Sequence, residues 1–190
     1  MAIQQEFTFT IFSENHVGLL NQITSVFTRR HLNIESLTTS ESAILGIHKF
    51  TIVVFSNQEE VEKTAKQIEK KIDVIKCFYF KADEIIHQEV ALYKVPTEMI
   101  LNGNEIENIV RKYSARILEI TSEYTVIEKT GHKSETQELF EQLDQYGVTQ
   151  FTRSGRIAIT KLKTELLEKY LKKLDFDDID YEDEPTSLYN

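Results

Sequence analysis

Cysteine is nearly absent. Cys77 stands alone in 190 residues, so the chain holds no internal disulfide and no cysteine pair for zinc. Glycine is scarce as well, six in all, and none of them builds a phosphate-cradling loop. No apolar run approaches the roughly 20 residues that a membrane-spanning helix needs. The opening MAIQQEF lacks a basic segment followed by an apolar core, so no secretory signal is expected, and with a single thiol the expected compartment is the cytoplasm. The five histidines, at 16, 31, 48, 87 and 132, show no metal-ligand spacing. Gly-x-Ser-x-Gly is missing, Arg153-Ser154-Gly155 has no strand-to-helix context, and no pair of acids is placed for general acid–base work. Catalysis by this chain alone, and a metal site in it, are not expected.

What charge there is lies unevenly. The net charge is −9, but residues 175–190 hold seven acids and no Lys or Arg, leaving 24 acids against 22 bases in the body. A near-neutral body with an acidic tail is not a nucleic-acid footprint. The tail, DFDDIDYEDEPTSLYN, has too little apolar content to fold alone and is expected to be a solvated or disordered terminus, dispensable for function.

The hydrophobic pattern reads as two halves with one element order. Residues 6–12 alternate as a strand. A helix is expected over 17–31, with Asn15 where a first cap is needed, Gly18 in the opening turn, and Leu19, Leu20, Ile23, Val26 and Phe27 at helical spacing. Strands follow at 33–42 and 46–55, joined near Leu45–Gly46. Ser56 or Asn57 caps a second helix with Val61, Ala65, Ile68 and Ile72 on one face, and 73–81 is a strand. The second half has a strand at 89–95, a helix after Asn102 or Asn104 and a hairpin of 115–121 with 124–130. It continues with a helix at 133–146 closed by Gly147 and strands at 148–153 and 156–161 around a Ser154–Gly155 turn. A last helix is expected at 163–174. The fold class is α+β, two ferredoxin-like βαββαβ domains in tandem. The expected divisions are 1–82, a linker at 83–88, 89–162, and a helix and tail at 163–190.

Taken alone, Asn15 is a helix cap, Gly18 a packing glycine and Asn33 a residue tolerant of an awkward turn. Together, in one order around a helix of set length, they make a place for an anion, because a helix start leaves N–H groups unpaired and a glycine admits a ligand to the backbone. This stretch, Asn15-His16-Val17-Gly18-Leu19-Leu20 followed by Asn33-Ile34-Glu35-Ser36-Leu37, resembles the start of an ACT domain, the small module that binds amino acids. The nearer resemblance is to the regulatory small subunits of acetolactate synthase. It continues through Lys94-Val95, Ala115 to Thr121, Tyr124 to Glu128, Thr130-Gly131 and Arg153-Ser154-Gly155-Arg156-Ile157-Ala158, covering about residues 6–161. Val17 departs from it, since many members carry Ser or Pro there, and so does Ser40, where many carry Ala.

The resemblance implies a regulatory partner of a catalytic large subunit. That large subunit would use thiamine diphosphate, magnesium and FAD in making precursors of valine, leucine and isoleucine, with no cofactor in this chain. It further implies activation of the large subunit and feedback inhibition by valine or another branched-chain amino acid. The ligand would lie on Asn15, His16, Val17, Gly18, Leu19 and Leu20, with Asn33 and Ile34 across a homodimer made through the ACT half, and its branched side chain would rest on Ile11, Leu20 and Ile34. In that dimer Leu20, Ile23 and Phe27 are expected to cover their own sheet, with Leu19 and Val26 toward the partner helix. No nucleic-acid or membrane partner is expected. A free-standing amino-acid sensor of two ACT-like domains is the alternative, and a structural ferredoxin-like adaptor is a second. An RNA-binding sheet is disfavoured because GIHKFTIVVF lacks the flanking glycine pattern.

Overall fold

The computed structural model describes residues 4–101, 104–163 and 166–179. They form two compact units, one running to Ile159 and one from Thr160 on. The first unit carries two antiparallel sheets.

The first sheet contains β1 (Gln5–Glu14), β2 (Ser36–Glu41), β3 (Ile47–Ser56) and β4 (Val74–Lys81) in the order β2-β3-β1-β4. Alternation decides its two faces. Phe7, Phe9 and Ile11 of β1 lie opposite Val54, Ile52 and Phe50 of β3 and point to the side covered by helices α1 (Leu19–Arg29) and α2 (Gln58–Ile68). Phe9 and Phe27 meet edge to face, with ring centroids 5.3 Å apart. Each such fully buried side chain contributes about 1.5–3 kcal/mol by leaving water. Asn57 caps α2 as expected, its side chain accepting from the Glu60 N–H. Arg30 ties the helices together, donating to Gln67 Oε1 at 2.8 Å and to Glu60 Oε2 at 3.2 Å.

The helix phases differ from the sequence expectation. The buried stripe of α1 is Leu19, Ile23, Val26 and Phe27, spaced four, three and one, whereas Leu20 lies a third of a turn away and is exposed. Leu19 and Val26, expected beside a partner helix, therefore cover their own sheet, and Leu20 does not. In α2 the buried face is Val61, Thr64, Ala65 and Ile68; the helix ends there, so Ile72 falls outside it and is almost fully exposed.

The stretch 83–88, expected as a linker, is one 3-10 turn at Ala82–Glu84 running straight into β5 (Ile85–Pro96). His87 and Gln88 are held extended within β5, the strand that pairs with β7, β8 and β9. The second sheet has the order β6-β7-β5-β8, from β6 (Arg116–Ile120), β7 (Tyr124–Gly131) and β8 (Gln150–Arg153), with β9 (Ile157–Thr160) also paired to β5. β8 and β9 thus both join β5 and are not a hairpin with each other. The helices of this half are α3 (Thr97–Leu101), α4 (Glu105–Lys112) and α5 (Lys133–Asp144). Ala91, Tyr93, Val95, Ile106, Val110, Ile127, Leu139 and Leu143 form its core. The chain is α+β with two βαββαβ repeats, one built around each sheet.

In the second unit α6 runs from Leu166 to Ile179, five residues into the stretch expected as an unstructured tail, with Lys172 and Glu168 paired at 2.7 Å. The rest of that tail, and Asn102 as a cap, lie outside the described residues. No described helix is long and apolar enough to cross a membrane.

Candidate functional site

β1 delivers the chain to a loop, Asn15–Gly18, that opens onto the N-terminus of α1. Gly18 holds φ +89°, and a Cβ there would meet nothing within 4 Å, so the backbone conformation and not crowding calls for glycine. Asn15 is not the cap. Gly18 occupies the N-cap position without any side-chain bond, and the first helical bond runs from the Gln22 N–H to the Gly18 carbonyl at 3.1 Å. The Leu19 N–H turns back to the His16 carbonyl at 3.3 Å. Among the described residues the N–H groups of Leu20 and Asn21 have no backbone acceptor. Two such donors at the positive end of a helix dipole have the chemistry to hold an anion such as a carboxylate.

A recess of about 250 Å³ lies beside them, lined by Glu14, Asn15, His16, Gly18, Leu19 and Leu20 together with Thr39, His48 and Phe50. Five of the residues expected from the sequence meet here: Asn15, His16, Gly18, Leu19 and Leu20. Thr39, His48 and Phe50 were missed. Their signal is the alternation of β2 and β3, which pairs Thr39 with Phe50 and puts His48 on the same side two residues earlier.

The electrostatics are mixed. His16 Nδ1 is 2.9 Å from Asp73 Oδ1 and its Nε2 is 3.6 Å from Glu14 Oε2. The hydrogen bond with Asp73, reinforced by the charges of Asp73 and Glu14, raises the His16 pKa above its ordinary value. These three groups also place ligating atoms within 4.8 Å of one another, a cluster that spacing alone did not reveal because Asp73 comes from the turn before β4. Nε2 of His48 is buried without a hydrogen-bond partner, 4.0 Å from Glu41 Oε1.

The other expected residues lie apart from this recess within one protomer. Val17 projects into solvent. Asn33 and Ile34 are at the far end of α1; Asn33 donates to Glu35 Oε1 at 2.9 Å, and Ile34 packs against the first core. Ile11, expected under the ligand's side chain, is wholly buried in that core, and the apolar wall of the recess is made instead by Leu19, Leu20 and Phe50.

Comparison with known proteins gives concordant results. Residues 88–162 match the family model for the small subunit of acetolactate synthase. Residues 9–76 match that for the acetolactate (acetohydroxyacid) synthase small subunit-like ACT domain. The acetolactate synthase small subunit of Bacillus subtilis (strain 168) is 33% identical over 153 residues, covering 80% of this chain and 88% of the relative. That of Mycobacterium leprae is 31% identical over 154 residues, covering 81% and 90%. Among solved structures, the acetolactate synthase small subunit from Thermotoga maritima superposes with a TM-score of 0.76 at 26% identity, covering 84% of this chain and 99% of that one.

Proposed function

The chain belongs to the small-subunit family of acetolactate synthase, and from that premise we propose that it activates the catalytic large subunit and confers feedback inhibition by valine or another branched-chain amino acid. It is a regulatory subunit with a catalytic partner. The chemistry it governs belongs to that partner, which would carry thiamine diphosphate, magnesium and FAD. Regulation of this kind is assigned to the cytoplasm. Residues 1–82 would sense the amino acid, and 89–162 with the helix and tail at 163–190 would complete the subunit.

The observation that carries the reading is the recess at the N-terminus of α1, where a left-handed Gly18 and the unpaired N–H groups of Leu20 and Asn21 converge in an ACT domain. The ligand's carboxylate is assigned to those donors, with Asn15 and His16 beside it. Its branched side chain rests on Leu19, Leu20 and Phe50. The ammonium needs an acceptor, and the Oδ1 of Asn33 from a second copy supplies it, with Ile34 alongside. Exposed Val17 and Leu20 form the apolar part of that homodimer contact.

The test is acetolactate formation by a large subunit with and without this chain, in the presence of valine, leucine or isoleucine. Wild type is expected to raise activity and to confer inhibition by one of the three. Gly18→Asp and Asn33→Ala are expected to keep activation and lose inhibition. Absence of activation, or inhibition of both variants as strong as wild type, sinks the proposal.

A further inference from the structure

The segment Arg153–Ala158, from the end of β8 through the turn into β9, stands outside the amino-acid recess, yet it is bonded to both sheets. On its own side the Ser154 N–H donates to the Val90 carbonyl at 2.8 Å, and the Val90 N–H donates to Ser154 Oγ at 2.9 Å. On the other side it presses onto the face of the first sheet that α1 and α2 leave open. A Cβ on Gly155 would lie 2.8 Å from the Leu37 carbonyl oxygen and would collide with Thr38 Oγ1, so glycine is needed here for space. The Arg156 N–H donates to Ser36 Oγ at 2.9 Å. The guanidinium of Arg156, whose side chain is 5% exposed, donates to Glu6 Oε1 at 2.7 Å and to Thr8 Oγ1 at 3.0 Å. Lys49 Nζ donates to the Ala158 carbonyl at 2.7 Å.

Strand alternation links this contact to the recess. Thr39 of β2 and His48 and Phe50 of β3 line the recess on one face. Their sequence neighbours on the opposite face meet the second sheet's segment, Thr38 at Gly155 of the β8–β9 turn and Lys49 at Ala158 of β9. The two sites are thus the two sides of one pair of strands, one residue apart.

We propose that Gly155 and Arg156 are positioning residues that transmit occupancy of the α1 recess to the second sheet. The proposal rests on the reading that the recess takes an amino acid. A ligand that displaces Thr39 carries Thr38 with it. Gly155 sits against Leu37 and Thr38 too closely to admit a Cβ, so at this point the turn follows the strand instead of sliding past it. The buried Arg156 charge holds the turn to β1 while this happens, because leaving it without Glu6 would strand a charge away from water.

Hydrogen exchange of the full chain with its large subunit, with and without saturating valine, leucine or isoleucine, tests the transmission without any substitution. Slowed exchange in residues 14–22 accompanied by altered exchange in residues 150–158 is the expected result. Slowing in 14–22 alone overturns the coupling and leaves the recess as the ligand site. No change in either segment with any of the three overturns the ligand reading and this proposal with it. Activity supplies the second measurement, as the ratio of inhibited to uninhibited rate within each variant. Arg156→Gln is expected to lose most of the inhibition and Arg156→Lys, which keeps the charge, to recover part of it, while direct binding of the amino acid to either variant changes less than about fivefold. Full inhibition of Arg156→Gln overturns the proposal.

Discussion

The imidazole of His16, in the loop before α1, is held by Asp73 at 2.9 Å, across 57 residues of sequence. The bond favours the charged ring, and the neighbouring Glu14 adds to it. A raised folded-state pKa gives stability that is fully present below the unfolded value, ordinarily near 6.5, and that is lost as pH rises through the folded one. The His16 ring is therefore expected to titrate above its ordinary value by NMR, and Asp73→Asn to bring it back down. Because the ring borders the recess, amino-acid binding is expected to weaken as pH rises through that titration. A His16 titration unchanged by Asp73→Asn would show that the contact is not made in solution.

In the second core, Tyr93 is wholly buried against Phe151, and its hydroxyl donates to the Thr136 carbonyl at 2.6 Å. Burial pushes its pKa up to about 12. Tyr93→Phe keeps the packing and removes the bond, so a loss of about 1 kcal/mol is expected, seen as a Tm lower by roughly 2–4 °C. Inhibition should be unaltered, since Tyr93 touches neither the recess nor the β8–β9 turn. An unchanged Tm would mean that the bond contributes nothing net to stability.

Cys77 sits on β4 opposite Ile11, buried among the first core. Removal from water, with Glu69 nearby, pushes its thiol pKa well up. At pH 8 the native protein is expected to resist thiol-labelling reagents and to react fully once denatured. Rapid labelling of the native chain would show that β4 opens readily at the sheet edge.

Much of this was legible because it is local. Alternation in β1 and β3 marked the first sheet, and Asn57 marked the start of α2. The resemblance around Asn15 to Leu20 marked five residues that line the recess. What sequence did not reveal depends on contacts between distant segments. His48 and Phe50 join the recess only through the pairing of β2 with β3. β9 left its expected partner because β5 is long enough to accept both β8 and β9. Gly155 read as an ordinary turn residue, although its requirement comes from the carbonyl of Leu37. Leu19 and Leu20 exchanged roles because both stand at helical spacing from Ile23 and Phe27, four and eight residues away for Leu19 and three and seven for Leu20, so periodicity alone does not choose between them and packing on the sheet does.

Gly18 allows backbone and charge to be separated. Its φ of +89° strains any L residue, by about 1–2 kcal/mol, and its Cβ direction is open. Gly18→Ala and Gly18→Asp should consequently lose similar stability, with Asp slightly the better tolerated because its short polar side chain accepts left-handed backbone. They differ in what they bring to the recess. A methyl group leaves the donors of Leu20 and Asn21 accessible, whereas a carboxylate competes for them and repels the ligand's own carboxylate. Two like charges at contact distance oppose each other by about 1–4 kcal/mol between water and a protein surface, which is a loss of about fivefold to several hundredfold in affinity. Inhibition curves for the two variants, measured beside their melting temperatures, should show Ala weakened modestly and Asp abolished. Equal loss in both would place control in the backbone conformation of the loop. Wild-type inhibition of Gly18→Asp would remove the recess as the site.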